Sequence, residues 1–333
     1  MRAIFLSQNP NEIIRVYGKS DLTRVRSCVE LTDQIYSKAD LLSSPAAFSD
    51  VAFVFSTWGM PSLTEGEIRQ LLPRLQCVFY AAGSVQAFAR PFLNCGVKVF
   101  SAWAANAIPV AEYTVAQIVL ANKGFYTLTR LMAQKDLNGA SARKAACIGS
   151  YGGKIGLIGC GMIGSLVAEM LKAYDLKVLA YDPFLTAEKA AQLNVTQVSL
   201  EELFSTCSVV SNHLANNDAT KGMLGLRHFS SMPKYATFLN TGRGAQVVED
   251  ELVRALTERP DLTAVLDVTY PEPAPLSHPF YTLPNCFLTP HVAGSLGDEV
   301  TRMAAYMTDE FHRFITQQPC RYEVTKAMLH TMA

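Results

Sequence analysis

The stretch KIGLIGCGMIGSLVAEMLKAYDLKVLAYDP, residues 154–183, decides the fold of this chain. It opens with a short apolar run, residues 155–158, which is typical of a buried strand. A turn and a segment with helical hydrophobic periodicity follow, and the turn contains three glycines in GxGxxG spacing: Gly159, Gly161 and Gly164. A second apolar run ends at Asp182, close to the interval of roughly 20 residues expected for a dinucleotide-binding unit. This order of elements predicts a Rossmann-type βαβ unit.

Each glycine has a physical role in such a unit. Gly159 permits the tight turn, Gly161 lets a pyrophosphate approach the backbone, and Gly164 allows the helix to pack closely on the strand. The helix start adds free N–H groups and a positive dipole end. Asp182 can accept hydrogen bonds from the adenosine ribose and would repel a 2′-phosphate, so NAD (NADH) is favoured over NADP. A GxGxxG motif alone also occurs as an ordinary turn, and the prediction therefore depends on the whole pattern.

The composition narrows the class of protein. A chain of 333 residues is long enough for about two domains. Its 29 basic and 29 acidic residues balance, which indicates neither a nucleic-acid partner nor a membrane-surface partner. No uninterrupted apolar run approaches the roughly 18 residues that would span a membrane, and the N-terminal apolar stretch is too short for a signal peptide. The 8 scattered cysteines form no CxxC pair, which predicts reduced thiols in a cytoplasmic protein and no metal site.

Short apolar runs alternate with helix-like segments on both sides of the glycine motif. Such alternation predicts an α/β protein with doubly wound parallel sheets. Residues 1–104 have a flavodoxin-like pattern, and residues 184–294 continue the sheet of the glycine motif. In the first part, strands are expected at 3–6, 34–36, 51–55, 77–80 and 97–100, and helices at 64–72 and 85–93.

Two long helices are expected near the domain boundaries. One begins at Asn106 with Pro109 in its first turn. The other follows Ser295 and returns to the first domain. Between them, residues 135–153 are rich in Gly, Ser, Ala and Lys. This composition predicts an irregular arm, which could contribute to a dimer.

Three polar side chains follow strands and stand on stiff loops. Arg243 lies between two glycines, Glu272 lies between two prolines, and His291 follows a proline. Ligands of open α/β sheets bind beyond the carboxyl ends of the strands, and an arginine, a carboxylate and a histidine there suit carbonyl reduction. Taken singly, each also has a structural interpretation, as a surface charge, a solvated loop acid and a structural histidine.

Two loops of the predicted first sheet also lie at the carboxyl ends of strands. The first is residues 56–60, STWGM, and the second is residues 81–84. In the second loop, the backbone amides around Gly83 and Ser84 could face a carboxylate. Simple turn chemistry explains both loops equally well.

These motifs together resemble the D-specific 2-hydroxyacid dehydrogenase family over nearly the whole chain. Four stretches occur in the family's order: the glycine motif with Asp182, NTGRG with Arg243, LDVTYPEP with Asp267 and Glu272, and TPHVAG with His291. The resemblance implies an NAD-dependent enzyme that interconverts a 2-keto acid and a D-2-hydroxy acid. It also implies a Rossmann cofactor domain, 105–296, inserted into a discontinuous flavodoxin-like substrate domain, 1–104 plus 297–333. Members of the family are commonly homodimers that pair through cofactor domains.

The resemblance also implies a role for each matching residue. His291 would be the general acid/base paired to Glu272, and Arg243 would bind the substrate carboxylate and polarise the carbonyl. The implied substrate contacts are Gly83, Ser84, Arg243 and His291. The implied cofactor contacts are Gly159, Gly161, Met162, Ile163, Gly164, Asp182, His213, Thr241 and Asp267, the last to the nicotinamide carboxamide.

Two departures from the family pattern concern local contacts. After the strand near Val210, the family has an apolar residue, His, any residue and Pro. This chain instead has Asn212-His213-Leu214-Ala215, so the proline is absent, which affects a cofactor contact. The substrate loop lacks the family's second glycine and acidic residue and has Ala82-Gly83-Ser84-Val85-Gln86, which affects the substrate contacts.

Other functions are compatible with this fold. A non-enzymatic NAD(H)-sensing protein is the main alternative, although a sensor would not need Arg243, Glu272 and His291 together. Formate oxidation is disfavoured because formate enzymes of the family carry an amide at the position of Glu272. Glyoxylate, hydroxypyruvate, phosphoglycerate-type and bulkier 2-keto acids all fit as substrates. A set of apolar side chains disfavours the phosphorylated ones: Trp58, Met60 and Trp103.

Overall fold

The structure is a computed structural model that describes residues 1–20 and 22–330. Asp21 and residues 331–333, which fall in the predicted substrate domain, lie outside the described residues. The chain divides into two compact units. The first unit contains Met1–Ala107 and Ser295–Ala333, and the second contains Ile108–Gly294.

The described residues form thirteen strands and fourteen α-helices. In chain order the strands are β1 Arg2–Leu6, β2 Glu30–Tyr36, β3 Val51–Ser56, β4 Cys77–Tyr80, β5 Lys98–Ser101, β6 Tyr151–Ile158, β7 Asp175–Tyr181, β8 Val195–Gln197, β9 Val209–Asn212, β10 Thr237–Asn240, β11 Thr263–Leu266, β12 Cys286–Leu288 and β13 Glu323–Val324. The helices are α1 Pro10–Tyr17, α2 Thr23–Arg26, α3 Lys38–Ser43, α4 Glu65–Leu71, α5 Ala89–Asn94, α6 Trp103–Asn122, α7 Phe125–Ala133, α8 Leu137–Ala145, α9 Met162–Leu171, α10 Ala187–Leu193, α11 Leu200–Thr206, α12 Leu226–Ser231, α13 Glu249–Glu258 and α14 Val300–Ile315.

Each unit is built on its own sheet. The strand order in the first unit is β13-β5-β4-β3-β1-β2, and β13 pairs antiparallel with β5 while the other pairs are parallel. The sheet of the second unit has the order β12-β11-β10-β9-β6-β7-β8, and all its pairs are parallel. The predicted fold class, with two doubly wound α/β sheets, is confirmed.

Aromatic side chains fill one face of the first sheet. Phe53, Phe79 and Phe100 on neighbouring strands are fully buried, and the rings of Phe79 and Phe100 stack with centroids 5.0 Å apart. Phe311 of α14 meets Phe79 edge to face at 5.6 Å. Burying one such side chain contributes about 1.5–3 kcal/mol. The apolar stripe predicted after Ser295 therefore packs as core of the first unit.

Parallel pairing aligns the carboxyl ends of five strands in the second unit. The last residues of these strands are register partners in one row: Ile158, Asn212, Asn240, Leu266 and Leu288. The loops that follow this row carry the glycine motif and the polar residues singled out in the sequence. The sheet thus brings residues that are far apart in the chain to a single edge.

Two local predictions were wrong. Helix α6 begins at Trp103, before Asn106, and Pro109 lies inside the helix instead of in its first turn. Ala105 and Ala107 in the first turns are buried, so packing contributes to the stability of the helix in spite of the hydrogen bond that a proline removes. The supposedly irregular arm contains α8, whose Asp136 cap accepts the N–H of Gly139 at 2.8 Å. This capping bond stabilises a helix that the glycine and lysine content had argued against.

Helix α6 is long and apolar enough to cross a membrane when only length and composition are considered. Half of its most apolar window is buried within the protein. Core helices of globular proteins meet the same criterion.

Candidate active site

The glycine turn joins β6 to α9 in the second unit. Gly159 has φ +91°, a left-handed conformation that disfavours other residues, and a Cβ there would lie 2.8 Å from the carbonyl oxygen of His213. A Cβ on Gly164 would collide with the carbonyl oxygen of Gly159. Close packing of helix and turn therefore requires glycine at both positions.

The start of α9 can receive an anion. A Cβ built on Gly161 would have no atom of the described residues within 4 Å, so open space lies above this backbone. Gly161 and Met162 are exposed, and Ile163 is half-buried. The first N–H groups of a helix have no partner within it and carry the positive end of its dipole. The turn consequently fits the pyrophosphate of a dinucleotide.

Asp182 lies at the end of β7 and holds the same turn. Its Oδ2 accepts the N–H of Cys160 at 2.7 Å, and its Oδ1 accepts the N–H of Phe184 at 2.8 Å. A carboxylate has about four acceptor positions, so two remain for ribose hydroxyls. Lys189 donates its Nζ to the carbonyl of Cys160 at 2.8 Å, a contact that the sequence did not suggest.

His213 lies behind the glycine turn with only 9% of its surface exposed. Its Nε2 is 2.9 Å from Ser211 Oγ, and its Nδ1 is buried without a hydrogen-bond partner in the described part of the chain. Burial lowers the pKa of His213 to about 4. The ring is therefore neutral at physiological pH, and it supports the turn from beneath through its backbone.

This depressed pKa makes stability depend on pH. The unfolded chain takes up a proton near pH 6.5, whereas folded His213 stays neutral until about pH 4, so stability is lost as the pH falls between these values. We expect the free energy of unfolding to fall by about 2 kcal/mol from pH 7 to pH 5 through this group. Urea unfolding followed by circular dichroism at both pH values measures the loss.

The His213→Gln variant is the comparison for that measurement. It should lose less stability than the wild type between pH 7 and pH 5. His228, whose pKa burial also lowers, continues to titrate in both proteins and contributes equally to both. Equal losses in the two proteins would contradict the assignment to His213.

Thr241 and Asp267 lie at neighbouring strand ends. Thr241 is 9% exposed, and its Oγ1 is 3.4 Å from Thr114 Oγ1 of α6. Asp267 is 2% exposed and acts as an anchor for the loop after β12. Its carboxylate accepts three bonds there: from Thr289 Oγ1 at 2.6 Å, Val292 N at 2.8 Å and Ala293 N at 2.9 Å.

His291 stands on this anchored loop and meets Glu272. The His291 Nδ1 is 2.7 Å from Glu272 Oε1, although the two residues are separated by 19 positions in the chain. His291 has φ +54°, an uncommon conformation for a residue with a Cβ, and its N–H donates to the carbonyl of Asp267 at 3.0 Å. Because Glu272 accepts the Nδ1 proton, Nε2 is left for a ligand. Both side chains are accessible, at 46% for His291 and 38% for Glu272.

Arg243 follows β10 on a loop that packs against the chain leading to Glu272. A Cβ on Gly244 would collide with the backbone of Thr269, so these two loops touch. The Arg243 Nη1 donates to the carbonyl of Gly242 at 2.7 Å. Burial lowers the pKa of Arg243, and the charge of Glu272 opposes this effect. The structure thus brings Arg243, Glu272 and His291 into one region of the second unit.

Two residues beneath the Glu272 loop were missed in the sequence. Glu249, at the start of α13, accepts the N–H of Tyr270 at 2.8 Å, and its Oε2 is 3.5 Å from His278 Nε2. Burial raises the pKa of Glu249 to about 7. An acidic residue in the first turn of a helix is common for electrostatic reasons, so the sequence carried no signal for this contact.

The predicted carboxylate loop belongs to the first unit. The carbonyl oxygens of Ala82 and Gly83 both accept Ser101 Oγ, at 2.8 and 2.6 Å. Gly83 is half-buried and Ser84 is exposed. Within residues 1–20 and 22–330, no group of three or more His, Cys, Asp or Glu side chains could hold a metal ion.

Comparison with known proteins adds three findings. Residues 115–293 match the family model of the D-isomer specific 2-hydroxyacid dehydrogenase, NAD binding domain. D-3-phosphoglycerate dehydrogenase of Bacillus subtilis is 30% identical over 228 residues, 67% of this chain and 42% of that protein. Glyoxylate reductase of Aeropyrum pernix is 34% identical over 163 residues, 49% of each chain. The chain therefore spans about half the length, or less, of these two relatives.

A solved structure agrees on the fold. The apo form of D-mandelate dehydrogenase from Rhodotorula graminis superposes with a TM-score of 0.80 over 98% of each chain. Its sequence is 17% identical to this chain. At that identity the similarity establishes the shared fold.

Proposed function

This chain belongs to the D-isomer specific 2-hydroxyacid dehydrogenase family, and from that premise we propose that it interconverts a 2-keto acid and a D-2-hydroxy acid. NAD is its cofactor, because the matched domain is the NAD-binding domain of the family and the glycine turn fits a pyrophosphate. The observation that carries the proposal is the 2.7 Å contact between His291 and Glu272, beside Arg243. Carbonyl reduction needs a group that transfers the proton, a carboxylate that orients this group and a cation that stabilises negative charge. The histidine, the carboxylate and the arginine here are such a set.

His291 handles the proton in this mechanism. The glycine turn and Asp182 would hold NADH, which when bound would supply the hydride for the keto carbon. As the carbonyl oxygen becomes an alkoxide, protonated His291 donates from Nε2, while Glu272 accepts the Nδ1 proton and fixes the orientation of the ring. In the oxidation of the hydroxy acid, the neutral ring takes the hydroxyl proton, and NAD⁺ would take the hydride.

Arg243 handles the anionic part of the substrate. Its guanidinium presents a planar set of donors that pairs with the substrate carboxylate and stabilises negative charge growing on the carbonyl oxygen. Its partial burial strengthens these interactions because fewer water molecules screen the charge. That the backbone amides of Gly83 and Ser84 contact the substrate stays a prediction.

The second unit also has a surface suited to a homodimer. Large apolar side chains are exposed along α7, α8 and the start of β6: Phe125 at 45%, Met132 at 55%, Leu137 at 65%, Ile148 at 52% and Tyr151 at 82%. Such a cluster on one segment is typical of a protein interface. We therefore propose that two copies pair through this segment.

The Leu137→Asp variant tests this pairing. A carboxylate at a buried interface position lacks a partner, and its desolvation should weaken the dimer at least about tenfold. Sedimentation velocity over a concentration series should show a dimer for the wild type and a dissociation constant at least about tenfold higher for the variant. The exposed Leu276, which is 95% accessible and lies outside the segment, provides a control as Leu276→Asp. A wild-type monomer would contradict the proposal.

The reaction is tested by following NADH consumption with a panel of 2-keto acids and NADPH in parallel. The panel contains glyoxylate, hydroxypyruvate, a phosphorylated 2-keto acid and bulkier apolar 2-keto acids. We expect NADH-dependent reduction of at least one of them, with a D-configured product on chiral chromatography. NADH binding without reduction of any member would overturn the proposal in favour of NAD sensing.

A further inference from the structure

Three buried amide side chains lie beneath the loop that carries Arg243. Asn212 and Gln246 are completely buried, and Asn240 is 1% exposed. The Asn212 Nδ2 donates to Asn240 Oδ1 at 3.0 Å and to Gln246 Oε1 at 2.5 Å. We call Asn212, Asn240 and Gln246 the amide cluster.

The amide cluster bonds both backbone polar groups of Arg243. Gln246 Oε1 accepts the Arg243 N–H at 3.2 Å, and Asn240 Nδ2 donates to the Arg243 carbonyl at 3.2 Å. Asn240 Oδ1 also accepts the N–H of Gly242 at 3.1 Å. The backbone from which the guanidinium projects is therefore fixed by side chains that do not reach the surface.

Gln246 also holds the loop after β9, on the other side of the cluster. Its Nε2 donates to the carbonyls of Leu214 and Ala215 at 2.7 and 2.9 Å. Asn212 Oδ1 accepts the Leu214 N–H at 3.3 Å. One side chain thus connects the Arg243 loop to the loop of His213, which supports the glycine turn.

Asn212 supplies the donor that joins the other two amides. An apolar side chain at its position could not donate to Asn240 and Gln246. Loss of one partner would leave the other buried polar groups without a hydrogen bond, which costs more stability than the bond itself contributes. A buried network with these costs favours one position of the loops it bonds.

We propose that the amide cluster is a positioning device for Arg243, and that Gln246 links the Arg243 loop to the loop beside the cofactor turn. This inference rests on the proposed function, because it assumes that Arg243 binds the substrate carboxylate. Gln246 does not touch the substrate. It acts by holding the backbone of Arg243, and a displacement of about 1 Å at such a residue is enough to reduce the rate.

A double-mutant cycle between Gln246 and Arg243 tests the proposal. The Gln246→Met variant keeps the length of the side chain and removes its hydrogen bonds. In the wild-type background it should lower kcat/KM for the 2-keto acid about tenfold, mainly by raising KM. In the Arg243→Ala background the same change should lower kcat/KM by less than about twofold, because residues that act as one unit are not additive.

A matched control separates positioning from general stability. Asn285 is also a buried amide, 3% exposed, whose Nδ2 donates to the carbonyls of Leu256 and Leu262 at 3.0 Å each. Both Asn285→Leu and Gln246→Met should lower Tm, but Asn285→Leu should leave kcat/KM within about twofold of the wild type.

Binding of oxamate, an unreactive 2-keto acid analogue, to the NADH-loaded protein provides a readout that is independent of turnover and is measured by calorimetry. The Gln246→Met variant should bind oxamate about tenfold more weakly than the wild type.

The outcomes are distinguishable. Equal losses from Gln246→Met in both backgrounds, with reduction by the wild type intact, would overturn the role of the amide cluster and leave the proposed function standing. A similar loss of kcat/KM in Asn285→Leu would also overturn the role of the amide cluster and leave the proposed function standing. A wild type that neither reduces a 2-keto acid nor binds oxamate would overturn the proposed function and this inference with it.

Discussion

The His291→Ala variant is expected to reduce its 2-keto acid at least about 100-fold more slowly than the wild type while still binding NADH. The variant removes the side chain that bonds Glu272 at 2.7 Å, and with it the proton donor for the alkoxide. A water molecule could donate the proton in its place, but Glu272 would not hold that water in the orientation that it gives to the imidazole ring. The glycine turn and Asp182 lie on other loops of the second unit, so cofactor binding should persist.

Steady-state kinetics and NADH fluorescence titration measure the two expectations. The loss should appear in kcat and in kcat/KM, because proton donation stabilises the transition state more than the bound substrate. His312→Ala provides a control, since His312 lies on α14 in the first unit and is half-buried. Near-normal turnover in a folded His291→Ala variant would show that another group donates the proton.

Elements with strong sequence signals were predictable. The apolar run before Gly159, the glycine spacing and Asp182 together identified β6, α9 and β7, because strand and helix periodicities differ and glycine marks the turn. The polar residues at strand ends were found for a related reason. In a parallel sheet, residues that directly follow neighbouring strands must come to the same edge, whatever their separation in the chain.

Other elements depend on contacts that a single sequence does not display. The short helices α1, α3 and α12 were not predicted, since a helix of two turns is stabilised mainly by packing. The edge strand β13 was missed because two residues show no period.

The supporting contacts of the site were equally hidden. Asp267 was expected to contact the nicotinamide, and that role stays a prediction. The sequence could not show that its carboxylate also holds the loop of His291, because the partners are backbone N–H groups 25 and 26 positions away. Asn212 stood in a stretch noted only for its missing proline, and its partner Gln246 lies 34 positions further on. Side-chain bonds over such distances are set by the sheet register, which no local pattern encodes.

The Arg243→Ala variant should show the other large effect, a loss of at least about 100-fold in turnover together with a higher KM for the 2-keto acid. Arg243 is expected to bind the substrate carboxylate in the ground state and the developing alkoxide in the transition state, so both kinetic constants change. NADH should still bind with nearly the wild-type affinity, since the described contacts of the glycine turn do not include Arg243.

The chemistry of the guanidinium provides the control for this variant. Arg243→Lys keeps the positive charge but cannot form the planar pair of bonds to a carboxylate, so it should recover only part of the lost activity. Free guanidinium added to Arg243→Ala should restore part of the rate, because the truncated side chain leaves open the space that the guanidinium occupied beside the Gly242 carbonyl. Rescue that saturates with guanidinium and lowers KM would place the missing cation at the substrate carboxylate. An unchanged KM in Arg243→Ala would instead mean that another group holds the substrate carboxylate.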